Sequence, residues 1–301
     1  MLNLPLNLVL PEFKFEGNRF LITTPVSGAT LDLKENIYIM GILNVSPDSF
    51  YVGYSDYNEA LKVAEKMVLD GADIIDVGGQ SSRPGASEIS PEEEKERIKI
   101  IKKLREIFPK VTISVDTYRA EVAQFAFDLG ADMLNDISGF RFDQAVVDVC
   151  VRYGAPAVVM HTTAKPKIMQ ENVIQNDDDL IPTIKSYLAH SVKLAEERGV
   201  KVIIDPGIGF GKKPHQNLVL IKRIDEFVKM GYPVLLGASR KSFIGYSVSP
   251  QNPVPPVERL EGTIAVNVFA LQKGVRIFRV HDVKENLRAL LVSKAILSER
   301  F

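Results

Sequence analysis

The sequence predicts an α/β chain folded as a (β/α)8 TIM barrel with a short, hairpin-like N-terminal extension. Three observations predict it. Eight short apolar runs rich in Val and Ile recur along the chain, a helical segment follows each, and glycine marks most returns from helix to strand. The runs are IYIMGIL (37–43), DIIDV (73–77), VTISV (111–115), DMLNDI (132–137), AVVMH (157–161), KVIID (201–205), PVLLG (233–237) and VRIFRV (275–280). They are mostly apolar throughout instead of alternating, as strands covered on both faces are.

Helices are expected near 58–70, 91–107, 118–129, 143–153, 180–198, 214–230, 256–272 and 282–298. The second is the best marked. Ser90 serves as its N-cap, Pro91 takes the first helical position, Glu93 completes a capping box, and Ile98, Ile101 and Leu104 form its buried stripe. Gly71, Gly130, Gly154, Gly199, Gly231 and Gly274 each fall just before the next strand, where a left-handed cap is favoured; Pro109 stands at the remaining joint. An open doubly wound sheet is the alternative. It normally carries GxGxxG after its first strand, and NVSPDSF follows here instead.

The barrel is assigned to residues 37–301 and the extension to 1–36. Within the extension, FKFEGNRFLI reads as a hairpin turning at Glu16-Gly17-Asn18 and covering the barrel bottom. The preceding MLNLPLNLVLPEF is apolar but broken by Asn3, Pro5, Asn7 and Pro11. It lacks the basic leader and small-residue cleavage site of a signal peptide. No apolar run approaches the ~20 residues of a membrane span. A net charge of −1 over 301 residues argues against a basic nucleic-acid binder. The single cysteine, Cys150, excludes an intrachain disulfide and reads as a buried core residue, which fits a cytoplasmic setting.

In such barrels the reacting groups stand at the C-terminal ends of the strands. Those ends carry Asn44; Asp76 with GGQSSRPGA; Asp116; Asn135 and Asp136; His161; Asp205 with PGIGFGK; Ser239, Arg240, Lys241 and Ser242; and Arg279 with His281. Asp116, Asn135 and Asp205 can read the donor–acceptor edge of a heterocycle. Arg83, Lys241, Arg279 and His281 suit an anion such as a phosphate. Asp76 either braces the rim or meets the ligand. His161 reads as a satisfied strand-end residue, and His190 and His215 as surface residues. Phe210 between glycines is a packing plug or a ligand wall. PGIGFG lacks the GxxxxGK[ST] spacing of a phosphate loop, and no HExxH or CxxC metal cluster is present.

The segments MGILNVSPDSF, DIIDVGGQSSRPGA, ISVDTY, LNDISG, DPGIGFGK, GASRKSFIG and RVHDV resemble, in order, the signature segments of the dihydropteroate synthases over roughly residues 38–300. The resemblance implies a C–N bond-forming transferase of folate biosynthesis, a sulfonamide target. It would join 6-hydroxymethyl-7,8-dihydropterin diphosphate to p-aminobenzoate, giving 7,8-dihydropteroate and pyrophosphate with the help of Mg²⁺. By the same resemblance, Asn44 would contact Mg²⁺ and diphosphate. Asp116, Asn135, Asp205, Lys241 and Asp76 would bind the pterin, and Arg279 and His281 the diphosphate. Ser82, Arg83, Pro84, Phe210 and Ser242 would form the p-aminobenzoate side. Lys241, Arg279, His281 and Asp205 are the expected catalytic set, and a homodimer is the expected assembly. Lys212, the first lysine after the glycines, fits the family pattern, whereas Lys213 reads as solvated.

This chain departs from the family's usual TPDSFSDGG, ESTRPGA and HMRGTP, having SPDSFYVGYSDY, QSSRPGA and HTTAKP, but it keeps Asp48, Phe50, Arg83 and Pro84. A pterin-binding methyltransferase on the same barrel would share Asp116, Asn135 and Asp205. It would have little use for SRPGA, SRKS and RVHDV. A non-catalytic pterin sensor would not need Arg83 and Lys241.

Overall fold

The computed structural model describes residues 19–45 and 57–299. In chain order the strands are β1 (Leu21–Thr23), β2 (Thr30–Asp32), β3 (Tyr38–Asn44), β4 (Ile74–Gly78), β5 (Thr112–Asp116), β6 (Met133–Asp136), β7 (Ala157–Met160), β8 (Val202–Asp205), β9 (Leu235–Leu236) and β10 (Ile277–Val280). The helices are α1 (Tyr57–Leu69), α2 (Pro91–Ile98), α3 (Ile100–Ile107), α4 (Ala120–Asp128), α5 (Ala145–Tyr153), α6 (Leu180–Glu197), α7 (Pro214–Lys222), α8 (Asp225–Val228), α9 (Ser242–Val248), α10 (Leu260–Gln272) and α11 (Val283–Ser298).

Strands β3 to β10 form one parallel sheet in the order β8-β7-β6-β5-β4-β3-β10-β9. A parallel bridge between Ile204 and Val234 joins its two edges, so the sheet closes into a barrel. Each apolar run alternates in what it faces. Ile39, Leu43, Ile75, Val77, Ile113, Val115, Leu134, Val159, Ile204 and Phe278 point outward into the helix-covered core. Met40, Ile74, Met133, Val158, Ile203, Leu235 and Ile277 point inward and form an apolar floor. Two residues beyond Ile74, Met133, Ile203 and Ile277 the inward positions become Asp76, Asn135, Asp205 and Arg279, and Asn44 and Asp116 stand at the C-terminal ends of β3 and β5. The interior is thus apolar below and polar at the C-terminal mouth.

The extension contributes an antiparallel hairpin, β1 with β2, in which Ile22 faces Leu31. Its turn lies between Thr24 and Ala29; the expected turn at Glu16-Gly17-Asn18 falls outside the described residues. Ile22, Leu31 and Leu33 join the apolar floor, each burial contributing about 1.5–3 kcal/mol. An isolated two-stranded hairpin is marginal in water, so this packing supports it. Asp132, fully buried, pins the hairpin turn by accepting from Val26 N (3.1 Å), Ser27 N (2.7 Å) and Ile113 N (2.9 Å) while pairing with Arg105.

The six helix-ending glycines all have positive φ, from +63° at Gly154 to +101° at Gly130. Ser90 Oγ accepts from Glu93 N at 3.1 Å. The reciprocal half of the expected capping box is replaced, because the Glu93 carboxylate turns to Arg97 instead. The expected helix 91–107 is divided at Lys99 into α2 and α3. Likewise 214–230 is divided into α7 and α8, and α9 is an additional short helix before α10.

Candidate active site

A cavity of about 150 Å³ opens at the C-terminal mouth of the barrel. One wall is the loop after β4, with Ser82, Arg83 and Pro84. The opposite wall is Phe210, Lys241 and Ser242. Asn44, Arg279 and His281 close the remaining side. Strand register explains the grouping, because Asn44, Gly78, Asp116 and Asn135 are lateral neighbours across β3, β4, β5 and β6. Gly78 lacks a side chain where a Cβ would meet Asn44 Oδ1 at 3.3 Å and Asp116 Cβ at 3.6 Å.

Below the cavity lies a network of paired charges. Arg279 Nε donates to Asp76 Oδ2 at 2.6 Å, and Arg279 Nη2 donates to Asp116 Oδ2 at 2.9 Å. Asn135 Nδ2 donates to the same Asp76 oxygen at 2.9 Å. Asp76 is fully buried, and its Oδ1 has no hydrogen-bond partner among the described residues. It therefore orients Arg279 and Asn135 from beneath. Only two of the five guanidinium N–H groups are used in these two bonds. Burial pushes the Asp116 carboxyl up to about 7 against the opposing pull of Arg279, with Asp76 adding repulsion. Asp136, next to Asn135 but facing outward, caps the following turn through Ser138 N and Phe140 N, both at 2.7 Å.

Asp205 accepts from Gly207 N at 2.7 Å. Burial raises its carboxyl above the ordinary range, with Lys241 opposing. Burial brings the Lys241 ammonium down to about 7, with Asp205 opposing and Arg279 adding repulsion. Lys241 Nζ donates to the Ile208 carbonyl and lies 4.5 Å from the centre of the Phe210 ring. The loop beneath is tightly built. At Gly207, where φ is +72°, a Cβ would come within 1.9 Å of the His161 carbonyl oxygen. Lys212 is buried under this loop, its Nζ 2.9 Å from His161 Nδ1 and donating to Phe210 O at 2.8 Å. Burial lowers both Lys212 and His161 well below their usual values.

The segment after β9 shares its side chains between two sides. Ser239 and Lys241 line the cavity. Arg240, at φ +56°, turns away and holds Asp282 through Nε at 2.8 Å and Nη2 at 2.7 Å. On the opposite wall, Gln80 supports the loop after β4, accepting from Ile89 N and donating to Tyr118 Oη, both at 3.1 Å. Gly85 N donates to Pro166 O at 2.9 Å, tying that loop to the HTTAKP segment.

The structure therefore gathers Asn44, Ser82, Arg83, Pro84, Phe210, Lys241, Ser242, Arg279 and His281 around the cavity. Asp76, Asp116, Asn135 and Asp205 stand on the barrel's inner face as buried groups beneath it. Asp48 and Phe50 lie outside the described residues. His161 is a buried, satisfied strand-end residue; His190 is exposed, and His215 is an exposed partner of Asp177. Sequence reasoning placed Ser239 at its strand end and Gln80 in the altered QSSRPGA segment but gave neither a role; in the structure Ser239 lines the cavity and Gln80 anchors its wall. Ile42 and Ser81 also line the cavity and had no role assigned.

An open barrel mouth with a carboxylate–amide floor and guanidinium, ammonium and imidazole groups at one side defines an enzyme site for a polar planar ring bearing an anion. The sequence pattern of the pterin binding enzymes matches residues 40–281. A dihydropteroate synthase of Bacillus subtilis is 43% identical over 277 residues, covering 90% of this chain and 92% of its own. The Yersinia pestis dihydropteroate synthase solved with a sulfonamide drug superposes with a TM-score of 0.85 at 37% identity, covering 92% of this chain and 99% of that one. The Thermus thermophilus dihydropteroate synthase solved with 4-aminobenzoate gives 0.79 at 37% identity, covering 91% and 100%. The chain belongs to the dihydropteroate synthase family of pterin binding enzymes.

Proposed function

We propose that this chain condenses 6-hydroxymethyl-7,8-dihydropterin diphosphate with p-aminobenzoate to give 7,8-dihydropteroate and pyrophosphate. The observation that carries the reading is the two-level mouth, with a ring-reading floor below a cavity walled by SRPGA on one side and SRKS on the other. Asp116, Asn135, Asp205 and Lys241 would hold the pterin. Asp76 would act through Arg279 and Asn135, which it orients. Arg279 and His281 would hold the diphosphate. Ser82, Arg83, Pro84, Phe210 and Ser242 would receive the aromatic amine, and a sulfonamide in its place.

In the reaction the amine nitrogen attacks the pterin methylene carbon as the carbon–oxygen bond breaks. The electron pair leaves on the diphosphate oxygen, and the amine releases a proton to solvent. Donors from Arg279 and His281 stabilise the departing charge. The carboxylates of Asp116 and Asp205 stabilise positive charge spreading into the pterin. An aromatic amine is already nucleophilic, so positioning supplies much of the rate. The Asn44 amide oxygen at the lip is a hard donor of the kind magnesium takes alongside water and substrate phosphates. Among the described residues no cluster of three or more His, Cys, Asp or Glu side chains offers a protein-only cage. Asn44 with diphosphate oxygens would hold the ion, which when bound neutralises charge on the leaving group. A cytoplasmic homodimer completes the proposal; no described helix is long and apolar enough to cross a membrane.

The test is pyrophosphate release from the pterin diphosphate and Mg²⁺, with and without p-aminobenzoate. Amine-dependent release with dihydropteroate as product is expected. Release without coupling would refute the amine pocket, and binding without release would refute the synthase.

A further inference from the structure

Lys212 lies between β8 and α7 and is 3% exposed, buried beneath the loop that carries Phe210. It is not part of the cavity lining. Its Nζ reaches three acceptors: the Phe210 carbonyl at 2.8 Å, His161 Nδ1 at 2.9 Å and the His161 carbonyl at 3.4 Å. Two of the three belong to the residue that follows β7. One proton lies between Nζ and Nδ1. If the lysine carries it, the ammonium donates to all three acceptors. If the imidazole carries it, the neutral amine still has two donors for the two carbonyls. In either state Nζ joins the Phe210 carbonyl to the end of β7.

The neighbouring peptides have other ties. Gly209 N donates to Asn217 Oδ1 at 2.6 Å, Gly209 O accepts from Gln170 Nε2 at 3.2 Å, and Ile208 O accepts from Lys241. Phe210 N closes a turn onto Gly207 O at 3.1 Å, and a Cβ at Gly207 would meet Lys212 Nζ at 3.2 Å. The loop is therefore folded directly onto the lysine head. The half-buried Phe210 ring packs against the cluster of Tyr118, Ile137 and Met160 and walls the cavity. Filling space does not call for a lysine here, because a methionine would fill it with no polar head to desolvate. We infer that Lys212 is a positioning residue, which from beneath the loop holds the Phe210 wall of the amine side at a fixed place relative to the end of β7. The amine role of that wall rests on the functional reading above.

The chain contains no Trp, so Phe210→Trp places a single fluorescent reporter on the wall. Acrylamide quenching and anisotropy of the full chain, free of ligand, are compared with and without Lys212→Met, which keeps the stem and removes the donors. Quenching should rise and anisotropy should fall when the donors are lost. At saturating pterin diphosphate, Lys212→Met alone should raise KM for p-aminobenzoate on the order of 10-fold with kcat nearly unchanged. In a Phe210→Ala background it should add nothing further, because the two residues then act as one unit. An unchanged reporter, equal KM increments in both backgrounds, or a fall in kcat with KM intact would each overturn the inference. Should Lys212→Met lose its cooperative melting, Lys212→Gln, whose amide stops one atom short of the Nζ position, takes its place with the same expectations. The reporter needs no turnover. A wall loosened by Lys212→Met in a chain that couples no amine would support the anchoring of Phe210 and fault the functional reading.

Discussion

Arg279→Ala removes the guanidinium shared by two buried carboxylates. Asp76 would keep Asn135 Nδ2, whereas Asp116 would lose its charged partner at 2.9 Å. Deleting one member of a buried pair costs about 3–5 kcal/mol. For a chain of this size 1 kcal/mol corresponds to about 2 °C, so Tm should fall by roughly 6–10 °C. The loss should also depend on pH. Folded Asp116 has its pKa raised to about 7, and removing Arg279 raises it further. The folded chain then holds a proton that the unfolded chain releases at the ordinary carboxylate value. Stability therefore falls as pH rises between those two values. Below pH 7 the acid is neutral in both proteins and the difference shrinks; above pH 7 only the wild type has a cation to meet the carboxylate. Calorimetry of both proteins at pH 5.5 and 8.5 measures this. An equal loss at both, or a greater loss at 5.5, would refute the argument that the guanidinium keeps Asp116 ionised.

Three further outcomes are expected. Asp205→Ala should abolish pterin binding in equilibrium dialysis, and intact binding would remove Asp205 from the pterin set. With Asp116 and Lys241 both brought to about 7, capture of the pterin diphosphate needs the carboxylate ionised, favoured by rising pH, and the ammonium protonated, favoured by falling pH. A plot of kcat/KM for that substrate should peak near neutrality, its limbs belonging to the coupled pair; a flat profile from 5.5 to 8.5 would contradict this. Gly211→Ala would place a Cβ 1.8 Å from Thr163 Oγ1 at φ +61°. It should cost about 1–3 kcal/mol in melting experiments and raise KM for the amine; an unchanged Tm would show that the loop yields freely.

The barrel was legible because eight Val/Ile runs and six helix-ending glycines report local physics that tertiary packing reinforces. The polar storey was legible too, since Asp116, Asn135, Asp205 and Arg279 interrupt apolar runs near their ends, where no floor residue is needed. What escaped depends on contacts distant in sequence. α9 spans seven residues and has no side-chain cap hydrogen bond to announce it. Ser239 gains meaning only from a residue 42 positions later. Gln80 looked like a mere substitution, but its amide serves both Ile89 N and Tyr118 Oη. Asp76 left bracing and binding open in the sequence; in the structure its Oδ2 accepts from Arg279 and Asn135 while its Oδ1 carries no hydrogen bond among the described residues. The described hairpin turns between Thr24 and Ala29, where Pro25 and Gly28 are a weaker hairpin signal than Glu16-Gly17-Asn18, which lies outside the described residues.

The Arg240–Asp282 clamp constrains how this rim can be rebuilt. Arg240 also donates through Nη1 to the carbonyls of Pro256 and Val257, and Arg259 Nη1 donates to the Arg240 carbonyl at 3.0 Å. Three connections, after β9, before α10 and after β10, are thereby fastened at one guanidinium whose own backbone is left-handed. Lengthening or shortening any one of them would pull Lys241 and His281 out of mutual register. These segments therefore act mechanically as a single unit, and grafting one of them onto another barrel without the other two should carry its side chains but not their spacing.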